Sequence, residues 1–124
     1  MNGFLLAAAV VSLLTFLVHL FWGGYDIINP LLKASDLQDM PKLTAYYGWH
    51  IVTLVLLAMT CAYAYVAFVQ PDVPLTVMLT SIAAACTLLS VVLIVTRQLQ
   101  PLDYPQWAFF LPIALFGALG LILG

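Results

Sequence analysis

Apolar residues gather in four long stretches of this chain, and polar residues, prolines and charges gather between them. The stretches cover residues 3–25, 43–69, 73–96 and 104–123. Each supplies the roughly 20 mainly apolar residues that an α-helix needs to cross the hydrocarbon of a bilayer. The breaks carry turn chemistry. Asn29-Pro30 and Met40-Pro41 bracket the first, Gln70-Pro71-Asp72-Val73-Pro74 makes a tight second, and Gln100-Pro101 and Tyr104-Pro105 bracket the third. Proline lacks an amide hydrogen and suits turns and the first turn of a helix. Pro112 falls inside the fourth stretch, where a membrane helix tolerates a kink. The pattern predicts an all-α fold with one domain over residues 1–124, a bundle of four transmembrane helices running up-down-up-down.

Within the stretches the uncharged polar residues recur at helical spacing. Ser12, Thr15, His19, Trp22 and Asp26 follow one another at three, four, three and four residues, which keeps them on one helix face. Tyr46, His50, Thr53 and Thr60 make a second row, with Leu57 filling one place. Thr76, Thr80, Ala83, Thr87, Ser90, Ile94 and Arg97 make the longest. Lipid cannot satisfy the hydrogen bonds of such side chains, so the rows are expected to face the bundle interior. Their ordinary role is to hold helices together. Gly117, Gly120 and Gly124 give the fourth helix a small-residue face suited to close contact, either at home or with another copy or subunit.

Composition strengthens the membrane reading. Of the 124 residues 65% are hydrophobic and 6% are charged, whereas globular chains carry about a quarter charged residues. A net charge of −2 offers no basic surface to nucleic acid. The expected surroundings are the lipid bilayer and, with it, a homo-oligomer or larger membrane complex. Lys33, Lys42 and Arg97 all border the first and third loops. The positive-inside rule then puts those loops in the cytoplasm and both termini outside. Tyr25, Tyr46, Tyr47, Trp49, Tyr104 and Trp107 crowd the same side, as an interfacial aromatic belt does. The first stretch lacks a basic segment before it and a small-residue cleavage site, so it is expected to be a retained helix. Cys61 and Cys86 sit in apolar runs, without the pairing that thiol chemistry needs.

The two histidines are the residues least explained by packing. His19 precedes Asp26 by about 10 Å along the helix and His50 follows Lys42 by about 12 Å, at 1.5 Å per residue. Both imidazoles are therefore expected at similar depth, facing each other across adjacent antiparallel helices, with Trp22, Asp26, Trp49 and Arg97 nearby. The opposite half of the membrane carries nothing comparable in sequence. Three readings are open. Each histidine fixes helix register by bonding a hydroxyl or backbone group. Or His19 and His50 are axial ligands of a b-type haem, with Gly23, Gly24 and Gly48 making room for the macrocycle. Or the cluster binds a small polar or anionic solute or relays a proton, as a residue titrating near neutrality can. A metal without haem lacks further ligands, since Asp26 is about two turns from His19. No catalytic residues are assigned: the serines lie in apolar helix without a histidine at equal depth, and enzymatic activity is not expected.

His19-Leu20-Phe21-Trp22-Gly23-Gly24, Asn29-Pro30-Leu31-Leu32, Tyr46 to Thr53 and Pro105-Gln106-Trp107-Ala108-Phe109-Phe110-Leu111-Pro112 together resemble a group of short bacterial inner-membrane proteins with four helices. That resemblance implies the topology and a bacterial cytoplasmic membrane, and transfers no chemistry. Other small four-helix families differ at the residues that matter. Small multidrug exporters carry a membrane-embedded glutamate, and this chain has no glutamate. Quinone-linked disulfide-forming proteins need paired cysteines. Glutathione-using membrane enzymes bring several arginines, where Arg97 is the only one here. The expected function is therefore the binding or transport of a small ligand through a cytoplasm-facing cluster. The alternatives are an accessory or structural subunit of a membrane complex, or a bis-histidine haem protein.

Overall fold

The computed structural model describes residues 1–124, which form helices and turns with no strand. The first rod is continuous from Gly3 to Lys33. It begins as α1 (Gly3–Leu17), widens into a π-helix, π1 (Val18–Ile28), and returns to α winding as α2 (Asn29–Lys33). Then come α3 (Asp39–Phe68), α4 (Val73–Arg97) and α5 (Gln106–Leu123). The Gly3–Lys33 rod and the three later helices are each long and apolar enough to cross a membrane. At 1.5 Å per residue the 30 residues of α3 reach about 45 Å, beyond the roughly 30 Å of bilayer hydrocarbon.

Two boundaries differ from the sequence expectation, both at prolines. The first helix does not end near Tyr25 but passes through Asn29-Pro30, because Pro30 falls in the opening turn of α2. The rod passes there from π to α winding, and Pro30, with no amide hydrogen to donate back to the preceding turn, sits at that change. The second helix starts at Asp39 rather than Leu43, which puts Pro41 in a free first turn, where a missing amide hydrogen removes no helical bond. Elsewhere the expected stops hold. The Asp72 carboxylate caps α4 by accepting from the Leu75 amide at 2.9 Å. Gln98 closes it in the left-handed region, φ 54°, with its amide bonded to the Ile94 carbonyl.

Side by side, the helices run in the order α3, α1, α5, α4. α1 packs against both α3 and α5, and α5 packs against α4, while α3 and α4 touch only slightly despite the short turn that joins them. Asn2 sits where three helices meet. Its backbone amide donates to the Ala67 carbonyl at 3.3 Å, its side-chain amide donates to the Gly120 carbonyl at 3.0 Å, and its Oδ1 accepts from Phe4 and Leu5. This end of the bundle also holds the core. Buried residues of α1 lie between Leu5 and Thr15, and those of α3 from Leu56 onward. Leu5, Ala8, Met59, Tyr63, Leu79, Ala83 and Ile113 are among those that interlock there.

The other end is open. π1 contacts α1, α2 and α3, but neither α4 nor α5. α4 and α5 stay paired, with the Ser90 hydroxyl accepting from the Trp107 amide at 3.1 Å. That hydroxyl satisfies one of the amides that the first turn of α5 leaves without a partner. The two helix pairs thus meet tightly at one end and part toward the other, where Lys33, Lys42 and Arg97 lie.

Candidate functional site

The expected cluster forms only in part, and π1 decides which part. His19 is held against α3 as expected, near its N-terminal third. Its Nε2 lies 3.1 Å from the Trp49 carbonyl and 3.0 Å from the Thr53 hydroxyl. A carbonyl only accepts, so Nε2 carries a hydrogen and Nδ1 holds the ring's free lone pair when the imidazole is neutral. The Thr53 hydroxyl bonds back to the same carbonyl at 3.2 Å. The imidazole stacks on the Trp49 indole, with centroids 4.3 Å apart and planes inclined by 22°. His19 is thereby fixed on three sides by one turn of α3.

His50 follows Trp49 in α3 and touches the same indole. Its ring meets Trp49 edge-on at 4.9 Å and Tyr46 edge-on at 4.6 Å. Both histidines thus contact Trp49, His19 by stacking and through hydrogen bonds and His50 by edge-on aromatic contact.

Trp22 and Asp26 leave the row. In an α-helix they would share the face of His19, but the rod takes π winding from Val18, and the wider turn rotates them outward. Trp22 is 68% exposed. Its indole Nε1–H donates to the Asp26 carboxylate, and both residues are exposed where His19 is half-buried. Arg97 ends α4 on the other side of the opening, and the contacts of His19, His50 and Trp49 do not include it.

A haem does not fit this arrangement. The Nε2 of His19 is engaged by the Trp49 carbonyl and the Thr53 hydroxyl. The room at Gly23 and Gly24 is filled by the Trp49 indole: a methyl group on either would stand 3.7 or 3.8 Å from it. Gly48 faces open space on the outside of α3 and borders no slot. Nor do three or more histidine, cysteine, aspartate or glutamate side chains converge as ligands for a metal ion.

The small-residue face of α5 packs within the bundle. Gly117 and Gly120 are buried. A methyl group on Gly117 would overlap the Thr80 hydroxyl and stand 2.7 Å from the Tyr63 hydroxyl, and one on Gly120 would run into the Leu5 side chain. Gly124 lies beside the Asn2 amide. The hydroxyl rows satisfy themselves in large part. Ser12, Thr15, Thr60, Thr76 and Thr87 each donate to the carbonyl four residues earlier. No buried side-chain polar atom lacks a partner. Cys61 and Cys86 are free thiols.

Sequence reasoning missed the polar architecture of the opposite end. Asn2 stitches three helices there, and a recess of about 640 Å³ opens beside it, lined by Gln70, Asp72 and Thr76 among others. An asparagine directly before an apolar run is a helix-start signal, so its capping role was legible. Its bond to Gly120 was not, because nothing local marks a contact between positions so far apart. No protein-family model, curated protein or solved structure matches this chain, so the arrangement of its side chains carries the functional reading.

Proposed function

We propose that this chain is an integral protein of a bacterial cytoplasmic membrane that binds a small ligand at the edge of the Tyr46–Trp49–His50 cluster. The ligand enters from the cytoplasmic side, where the two helix pairs part. One observation carries the reading: His50 is half-buried and its ring meets Tyr46 and Trp49 edge-on, whereas His19 is consumed by hydrogen bonds. An imidazole donor flanked by two aromatic rings suits a planar molecule with a hydrogen-bond acceptor. The helices cross the bilayer in alternation, with the loops around Asp36 and Asp103 in the cytoplasm and both termini outside, as the three cations require.

Two measurements test this. Cysteines placed at Asp36 and Asp103 in a Cys61→Ala, Cys86→Ala background should resist a membrane-impermeant thiol reagent added to intact cells, while one at Gln70 should react. The purified protein should then be heated with benzoate or with a short-chain benzoquinone as probes. A rise in Tm that disappears in His50→Ala supports the ligand reading, and no shift with either probe counts against it.

A second reading is a subunit of a larger membrane assembly. It is favoured by the exposed apolar side chains of α4, such as Leu88 at 64% and Val95 at 69% exposure, which a partner helix could cover. Native mass measurement after extraction separates the two, because a subunit should come out with a partner and a ligand binder need not.

A further inference from the structure

Between Val18 and Ile28 the polar residues keep α-helical spacing while the backbone does not. From His19 to Asp26 is one heptad, which an α-helix offsets by only about 20°. In π1 the hydrogen bonds reach one residue further, as at its end, where the Asn29 amide donates to the Gly24 carbonyl. Trp22 and Asp26 are consequently turned outward. A π-helix of 11 residues is far longer than the single-turn bulges in which this winding is usually met, and those concentrate at functional sites.

Three features bear on what holds this form and what lets it go. The Trp49 indole rests against Gly23 and Gly24, and His19 is bonded to the Trp49 carbonyl, so π1 is wrapped around one side chain of α3. Gly23 and Gly24 have weak preference for any helix, which lowers the cost of leaving α winding. Neither α4 nor α5 packs against π1, so a change of winding has only the contacts with α3 to rearrange among the later helices. Pro30 sets the limit, because its ring would meet the Asp26 carbonyl in an unbroken α-helix.

We infer that π1 is a winding switch, in which Val18–Tyr25 passes between the π form and an α form that turns Trp22 and Asp26 onto the face of His19, completing a polar row beside Trp49. In the π form that row is broken at His19. In the α form it runs unbroken from Ser12 to Asp26 toward the open end. The switch rests on the geometry of π1 and holds whether or not a ligand binds at His50.

The test uses the full chain with 5-fluorotryptophan in lipid nanodiscs, read by fluorine NMR, with Trp22 assigned from Trp22→Phe. The wild type should give two Trp22 signals, one broadened by a lipid-soluble paramagnetic agent and one shielded from it. Gly23→Ala with Gly24→Ala favours α winding, and the added methyl groups stand at ordinary contact distance from Trp49. This variant should move intensity to the shielded signal, with Trp107 unchanged as a check on the fold. A single lipid-broadened Trp22 signal in both proteins would overturn the switch. If the alanine variant does not fold, one lipid-broadened signal in the wild type across the accessible temperature range overturns it alone.

Discussion

The Tyr63 hydroxyl reaches the Thr80 hydroxyl at 3.1 Å, joining α3 to α4 at the point where Gly117 of α5 presents no side chain. Three helices converge on this contact, and only glycine leaves room for it. Gly117→Ala should force the two hydroxyls apart and destabilise the protein by about 1–3 kcal/mol, the usual range for an overpacked core. Thermal unfolding in detergent reads this out. Gly48→Ala is the control, because a methyl group there meets open space and should leave Tm unchanged or slightly raised.

The same pair can be dissected by a double-mutant cycle. Tyr63 is fully buried, so Thr80→Val leaves its hydroxyl without a partner and should cost about 1–3 kcal/mol. Tyr63→Phe instead leaves the Thr80 hydroxyl without this partner and should cost less, because Thr80 is only half-buried. The coupling energy should fall near 0.6 kcal/mol, the average found for hydrogen bonds between membrane helices. A coupling of zero would mean that the hydroxyls do not meet in the membrane.

His19 and Thr53 give a third prediction, opposed to haem binding. Protein purified from cells supplied with haem precursor should show no Soret band, oxidised or dithionite-reduced, because Trp49 stands where the macrocycle would go. His19→Phe keeps the stack on Trp49 and loses the bonds to Thr53 and the Trp49 carbonyl. It should lower stability by about 1 kcal/mol, the net worth of an ordinary hydrogen bond. A haem spectrum abolished by that substitution would overturn this account of the site.

Gln98 offers a gain. It closes α4 with φ 54°, where the Cβ of an L-residue crowds the following carbonyl at a cost of roughly 1–2 kcal/mol. Gln98→Gly should raise Tm, provided that the Gln98 and Leu99 amides keep their bonds to the Ile94 carbonyl. Ser90→Ala should act the other way. It strips the Trp107 amide of its acceptor and should cost about 1 kcal/mol, as the loss of a helix N-cap does.

Hydropathy alone located four helices, because each long apolar run is bounded by prolines and charges that a spanning helix would exclude. Its errors came where a residue has two meanings. Pro30 and Pro41 read as loop markers, yet Pro41 lies in the first turn of α3, and Pro30 lies where π winding gives way to α winding within one rod. The α4 row from Thr76 to Ser90 was correctly read as facing inward, with Thr76, Ala83 and Ser90 buried. The α1 row was right as far as His19 and wrong beyond it. Periodicity presumes a constant winding, and nothing in Val18–Ile28 announces a π-helix except the Gly23-Gly24 pair. The stacking of Trp49 on His19 was equally hidden. It depends on which way the indole turns, and that is settled by the neighbouring rod rather than by α3 itself.

The position of α1 between α3 and α5 also sets an order of events during synthesis. α3 is made before α5, so the first pair can close while α4 and α5 are still being produced. One flank of α1, including Leu5 and the Asn2 amide, must then wait for Gly120, which lies 118 positions away. Throughout that interval a polar amide and an apolar flank are bare to whatever the insertion machinery places beside them. The contact order thus divides the bundle into a pairing of α1 with α3 and a closure that only α5 completes.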